Sequence, residues 1–420
     1  MHFRWLSTRL PQSSERRVTV LTGPRQVGKT TLAKRTYPDV RYVNLDAPED
    51  RAQLRAVRTA AWARTIGAAV LDEAQKEPSL FEKVKYAYDA GELDFTVLLG
   101  SSRLLVLDRV RETLAGRAFV FEMMPLMFSE LIADEGTTPP LPLLDRLLTS
   151  SGPVGRVLDR EPQVLLGEEA ARLAQALEYL TRHGGMPELL ALTETDRRTW
   201  LHSYARTYVE RDVMDLSRLA DLEPFRLLQR LAMLRSAQLL SFAELSRDAG
   251  IGASTARRYL DYLDLTYQTV RLAPFHRNLT SAAVKTPKLY WGDVGILREG
   301  TGQWDAPVQG AMAGALFETL IVTEAHKWIA TMQRDTRLSF YRTRAGLEVD
   351  LMLETPTGVI GVEVKNRSTV RGSDARALTA VALALGTEWR GGIVVTRGES
   401  IEPLDETLDL WAVPAERLLS

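Results

Sequence analysis

Residues 23–31 read GPRQVGKTT, and the run leading into them, VTVLTG at 18–23, is short and apolar. An apolar run of that length ending in glycine predicts a buried strand, and TTLAKRTY at 30–37 predicts a helix. The join between them obeys G-x-x-x-x-G-K-[ST], with Gly23, Gly28, Lys29 and Thr30 at the fixed places. No other feature restricts the fold as tightly, because the spacing works only as strand, turn and helix within an α/β unit. The glycines let the loop wrap a phosphate, whose charge meets converging backbone N–H groups at the helix N-terminus. The stretch Gly23, Pro24, Arg25, Gln26, Val27, Gly28, Lys29, Thr30 and Thr31 therefore predicts a nucleotide cradle. Lys29 would neutralise β/γ charge, and the Thr30 hydroxyl would ligate Mg²⁺. No N-K-x-D guanine-reading motif occurs, which favours ATP over GTP.

At 420 residues the chain is too long for one ordinary domain, which predicts two to four. With 53 Lys+Arg against 54 Asp+Glu, any nucleic-acid surface has to be a local patch. The absence of cysteine excludes disulfides, zinc fingers and thiol catalysis. MHFRWLSTRL at the start carries no apolar run of signal-peptide length, and ALTAVALAL (377–385), the nearest approach to a membrane span, is far too short. The expectation is a cytoplasmic protein with no membrane partner.

Downstream, AAVLDEAQ (68–75) is an apolar strand ending in two acids. Asp72 is expected to hold the Mg²⁺ water shell and Glu73 to polarise the attacking water. A third strand, FTVLLGSS (95–102), ends in Ser101 and Ser102. Ser101 stands where a group sensing the γ-phosphate would lie, although serine there is also a common turn former. The ordered series GPRQVGKTT, LDEAQ, LLGSS, LAGR and PLMFSEL resembles an AAA-type (AAA+) ATPase family of bacteria and archaea that carries a C-terminal domain of uncharacterised function. The resemblance implies that Arg117, in ETLAGR, is a finger reaching a neighbouring subunit's γ-phosphate, with Arg103, Arg109 and Arg111 as competitors. Self-association, as a ring or hexamer, goes with that role.

Residues 135–167 are Pro/Gly-rich and mark a boundary, followed by a helix over 168–183 and then GGMPELLAL (184–192). The last resembles the turn by which lids of signalling-type P-loop ATPases touch nucleotide, placing Met186 and Pro187 over the base or ribose. A plain helix start with proline in its first turn reads equally well. SFAELSRDAGIGASTARRYLDYL (241–263) has the form of a helix-turn-helix, with Ser241 as a cap and GIG as the turn. The strand YQTVRLAP follows as a wing would, and Arg257 and Arg258 are the candidate DNA contacts. Such modules also serve as lids or protein contacts.

After an amphipathic helix at 314–329 carrying Glu318 and Glu324 comes SFYRTRAGLEVDLMLETPTGVIGVEVKNR (339–367). Period-two reading puts Val349, Leu351 and Leu353 on one face, with Glu348 and Asp350 on the other. A turn at TPTG then brings Asp350, Glu363 and Lys365 onto one surface, where Glu318 completes an acidic cluster able to hold a divalent metal. The plain alternative is a hairpin displaying solvated charge. The order helix glutamate, aspartate, E-x-K, then a helix at 374–385 and GGIVVT at 391–396, resembles the restriction-endonuclease fold, including its Holliday-junction resolvase branch.

The expected architecture is α/β and multidomain. It comprises a parallel-sheet P-loop core (1–134), a loop and helical lid (135–195), a helical region with a winged helix (196–278) and a restriction-endonuclease-like domain (279–420). The expected activity is ATP hydrolysis by an oligomer acting on duplex or branched DNA, with ATP and Mg²⁺ as ligands and a second divalent ion in the C-terminal domain. A nucleotide-controlled switch with a protein partner, and an ATP-dependent nuclease, are the alternatives.

Overall fold

The computed structural model describes residues 2–100, 109–110, 112–134, 136–216, 222–275, 286–304, 308–344 and 346–420, with backbone alone for 206–216. Its first sheet contains β1 (Arg17–Thr22), β2 (Arg41–Asn44), β3 (Ala69–Asp72), β4 (Phe95–Leu99) and β5 (Ala118–Glu122). These run parallel in the order β2-β3-β4-β1-β5. Parallel pairing requires crossovers, and here helices cover both faces. Val18, Val20, Leu71 and Leu98 pack with Leu80, Phe81 and Val84 of the helix Ser79–Asp89. Leu21, Val70, Val97 and Leu99 point the other way, toward Val27, Leu32 and Ala33. The C-terminal end of β1 thus opens in mid-sheet, with β4 separating it from β3.

A second sheet holds β6 (Gln238–Leu239), β7 (Thr269–Pro274), β8 (Lys288–Trp291), β9 (Arg337–Arg342), β10 (Glu348–Thr355), β11 (Gly358–Val364), β12 (Trp389–Thr396), β13 (Glu402–Asp405) and β14 (Leu410–Pro414). Its order is β13-β14-β12-β11-β10-β9-β7-β8-β6. Three helices, Glu223–Leu234, Phe242–Asp248 and Ala253–Leu265, lead into β7, and β6 and β7 both pair antiparallel with β8. The Ser241 hydroxyl accepts the N–H of Glu244 at 3.3 Å, so this serine caps its helix. Because β7 also pairs with β9 through Ala273 and Pro274, strands from 196–278 and from 279–420 share one sheet.

The hairpin β10–β11 forms with Leu351 opposite Val362 and Leu353 opposite Ile360. One part of the period-two reading fails. Val349 packs with Met352 in one cluster, whereas Leu351 and Leu353 belong to another. The cause is a register shift against β9 between Val349 and Met352, which breaks the alternation.

The helix Gly310–Met332 joins the two sheets. It is buried around most of its circumference along its later turns and is not the half-exposed amphipathic helix expected from 314–329. Leu316, Phe317, Leu320 and Ile321 share a core with Leu351, Leu353, Ile360 and Val362. Further along, the Glu324 carboxylate accepts the N–H of Phe128 at 2.7 Å, and Lys327 Nζ donates to the Leu126 carbonyl at 3.0 Å. Trp328 Nε1 donates to Asp145 Oδ1 at 2.7 Å, and Arg334 grips the same carboxylate at 2.6 and 2.8 Å.

Two predictions follow from these buried groups. Asp145→Ala leaves the Trp328 N–H and the Arg334 guanidinium without their acceptor and should cost about 3 kcal/mol. The loss should appear as a lower urea midpoint, with Asp145→Asn less affected; a midpoint equal to the parent's would contradict the assignment. His183 lies against the rings of Tyr179 and Trp304, and burial pushes its imidazole down to about 4. A folded value below the unfolded one means the unfolded chain binds more protons, so stability should fall as pH drops from about 6.5 toward 4. His183→Gln should flatten that part of the pH–stability curve.

Candidate nucleotide site and the C-terminal charge cluster

Gly28 stands at φ 96° as the N-cap of the helix Lys29–Thr36, so the loop enters the helix with its amides turned inward. Gly23 is held at φ 145°, and a Cβ there would lie 2.1 Å from the Met123 carbonyl oxygen. Only glycine fits. The buried Lys29 ammonium donates to the carbonyls of Gly23 at 2.8 Å and Pro24 at 2.6 Å. The ammonium is thus turned onto its own loop, whose carbonyls accept the hydrogen bonds that phosphate oxygens of a nucleotide would accept in their place.

The acid pair sits beside the loop. Asp72 Oδ2 accepts from Thr30 Oγ1 at 2.6 Å and from the Tyr42 hydroxyl at 2.8 Å. Thr30 and Asp72 are thus already neighbours, and their oxygens are the hard donor set that Mg²⁺ takes. Glu73 adopts φ 55°, a left-handed conformation that lifts its carboxylate out of the strand line, and Asp72 Oδ1 accepts its N–H at 2.9 Å. The Glu73 carboxylate accepts from Gln75 at 2.5 Å and lies 4.0 Å from the Arg25 guanidinium. Ser101, Ser102 and Arg103 lie outside the described residues, as does Arg111.

Four contacts to this site had no sequence signal. Arg4 donates to the Val27 carbonyl at 2.8 Å and pairs with Glu130 at 3.1 Å, bracing the loop from beneath. Tyr204 donates to the Arg25 carbonyl at 3.2 Å from the helix Glu194–Leu216. Tyr42 is the partner of Asp72 already described. Tyr267, at φ 62°, bonds Thr22 Oγ1 at 2.8 Å and Glu122 Oε1 at 3.2 Å. Thr22 is the residue before Gly23, so the segment linking the helix Ala253–Leu265 to β7 touches the root of the phosphate loop.

Around Met186 and Pro187 the chain is tied to neighbouring elements. The Leu126 N–H donates to the Gly185 carbonyl at 2.7 Å, and the Asp293 carboxylate accepts from Gly185 at 2.8 Å. Asp293 also caps the helix Val294–Gly300 through Gly295 and Ile296, and burial raises its carboxyl. Met186 is buried in the central core, and Pro187 begins a short 3₁₀ turn. Arg117 precedes β5 and forms a bidentate pair with Asp89 at 2.6 and 3.0 Å. It lies at the N-terminal ends of the parallel strands, a strand length of about 16 Å from the loop edge. From there it does not serve its own chain's phosphate loop. Arg109 pairs with Glu112 at 3.0 Å. Arg257 and Arg258 are both exposed on Ala253–Leu265, lying over the rings of Phe242 and Tyr259 at 4.8 and 5.8 Å.

In the C-terminal sheet, Glu318, Asp350 and Glu363 do converge. Burial and the Asp350 charge push Glu318 up to about 7 and Glu363 up to about 8. Lys365 pairs with Glu363. At the centre stands a residue the motif reading missed. Lys288 Nζ lies 2.6 Å from Glu318, 2.5 Å from Glu348 and 3.3 Å from Asp350. The Tyr290 hydroxyl donates to Glu318 at 2.7 Å, and Asp350 Oδ2 accepts the Val364 N–H at 2.9 Å. Among the described residues no group of three or more His, Asp or Glu is arranged to hold a metal ion. Of the expected metal set, Glu318 and Asp350 meet the Lys288 ammonium, whereas Glu363 meets Lys365.

Residues 15–132 match the AAA domain family. Residues 174–303 and 313–418 match two domains of unknown function, DUF8612 and DUF4143. Uncharacterised proteins of Mycobacterium tuberculosis and Mycobacterium bovis are each 28% identical over 409 residues, spanning 96% of this chain and 81% of theirs. Among solved structures, a Walker-type ATPase of Pyrococcus abyssi is similar at TM-score 0.42 and 16% identity, over 70% of this chain and 94% of that one. AMPPCP-bound DnaA from Aquifex aeolicus is similar at TM-score 0.23 and 14% identity, over 60% and 83%. The AAA domain match and the loop geometry together support a P-loop ATPase core. No helix among the described residues is long and apolar enough to cross a membrane.

Gly23→Ala should abolish nucleotide binding in a folded chain, because its Cβ and the Met123 carbonyl cannot both keep their places. Tyr42→Phe removes one hydrogen bond from Asp72 and should weaken Mg²⁺-dependent ATP affinity about three- to tenfold, with Mg²⁺-free affinity unmoved. Fluorescent-nucleotide titration with and without Mg²⁺ checks both.

Proposed function

We propose that this chain hydrolyses ATP and uses the cycle to act on DNA through a winged helix built from the helices Phe242–Asp248 and Ala253–Leu265 and the strands β6, β7 and β8. The observation carrying this reading is Tyr267, which ties that unit to Thr22 and Glu122 at the ends of β1 and β5. A cavity of about 500 Å³, lined by Pro24, Glu122, Tyr267, Arg271, Lys327 and Leu338, opens at the same junction and leaves room for the contact to shift. In the hydrolytic step, water adds to the γ-phosphorus as its bond to the bridging oxygen breaks. ADP leaves, and Glu73 takes the water's proton. Lys29 holds the phosphate charge, and Mg²⁺, held by Thr30 and Asp72, would supply further charge neutralisation when bound.

DNA as the target is supported by the two exposed arginines on the second helix, whose aromatic neighbours fix their direction. Self-association is supported by Arg117, whose place at the far end of the sheet leaves a partner's site as the one it can serve. Ser101 remains the proposed γ-phosphate sensor, and Pro187 the proposed nucleotide contact of the lid.

The test is steady-state ATP turnover with Mg²⁺, alone and with single-stranded, duplex and four-way-junction DNA, against a Lys29→Ala background. Stimulation by DNA, strongest on junctions, is expected. Replacing Arg257 and Arg258 together by glutamate should reduce DNA affinity and flatten its log–log salt dependence by about two, roughly one per lost phosphate contact. Turnover indifferent to every DNA would overturn the reading in favour of a nucleotide-controlled switch acting on a protein.

A further inference from the structure

The acidic cluster of the C-terminal sheet has the carboxylates for a divalent ion but a different occupant. Lys288, on β8, is buried, and its ammonium reaches Glu318 from the helix Gly310–Met332 as well as Glu348 and Asp350 from β10. Three carboxylates meet this ammonium directly. Glu318 Oε1 takes both Lys288 and the Tyr290 hydroxyl. Asp350 divides its two oxygens between Lys288 and the Val364 N–H. Glu348 takes Lys288 on one oxygen and Arg342, at 2.8 Å, on the other. Glu363 is paired with Lys365 through Oε1, and its Oε2 is buried without a hydrogen-bond partner.

We propose that Lys288 is the resident cation of this cluster, substituting for a divalent metal and keeping one from binding. A positive charge about 3 Å from three carboxylates repels a second cation at the same place. Dislodging it would bury an ammonium with no counter-charge, which costs several kcal/mol. The domain thereby keeps the carboxylate scaffold of a metal site while lacking the vacancy a metal and its activated water need. This inference does not depend on DNA being the target of the ATPase.

The experiment measures Mn²⁺ binding by electron paramagnetic resonance on the full chain without nucleotide. Each protein is compared with its own Asp350→Asn version, so that the difference reports this cluster and not the Thr30–Asp72 site. For the wild-type chain the expected difference is nil. Lys288→Met, which keeps the stem and removes the charge, should gain a Mn²⁺ site about a hundredfold or more tighter than the parent's, lost again when Asp350→Asn is added. Lys288→Arg, which keeps the charge, should gain none. Asp350-dependent Mn²⁺ uptake by the wild-type chain would overturn the proposal, and that arm decides the matter even if Lys288→Met fails to fold. A folded Lys288→Met chain with no gain would overturn it as well.

Discussion

The buried pair Glu324–Lys327, inside the helix Gly310–Met332, is the contact on which the rest of the molecule depends. Its two members do not merely neutralise each other. Each also satisfies a backbone group of the first sheet's following segment, the Phe128 N–H and the Leu126 carbonyl. Buried charges are tolerated only when paired and hydrogen-bonded, and this pair meets both conditions by bridging two parts of the chain about 200 residues apart. The same helix packs its apolar turns against β10 and β11, so the phosphate loop and the C-terminal sheet share one continuous core.

That rigidity makes the contacts of Tyr267 with Thr22 and Glu122 consequential. The end of β1 is fixed by β4 and β5 on either side, and the loop that follows is braced by Arg4 and Tyr204. Tyr267 touches Thr22 immediately before the loop begins, from a left-handed backbone conformation that costs energy for a bulky residue. A strained residue bonded to the root of a phosphate loop is well placed to report what the loop holds, because small shifts there are not absorbed by the packed sheet.

What could be read from the chain alone was what short spacing encodes. Gly23, Gly28, Lys29 and Thr30 sit within one turn and its helix, Asp72 and Glu73 are adjacent, and β10 and β11 are joined by a tight turn. In each case local geometry dictates who meets whom. The partners that complete these sites come from far along the chain. Tyr42 lies 30 residues from Asp72, Tyr204 lies 179 from Arg25, and Tyr267 lies 245 from Thr22. A tyrosine carries no spacing signature, so nothing marked them. Lys288 was hidden for the same reason: it lies on β8, 62 residues before Asp350, and only the order β10-β9-β7-β8 and the helix Gly310–Met332 place it among the acids. The misplaced Val349 shows the complementary limit, since one bulge against β9 undoes a strict alternation.

Under the proposed function, occupancy of the phosphate loop is transmitted through Tyr267 to the helix Ala253–Leu265. Amide hydrogen exchange with and without a non-hydrolysable ATP analogue and Mg²⁺ tests it most directly. Altered exchange is expected at residues 23–31 together with altered exchange across 263–274, both absent in Lys29→Ala. Changes confined to the first sheet, with 263–274 exchanging as before, would contradict it.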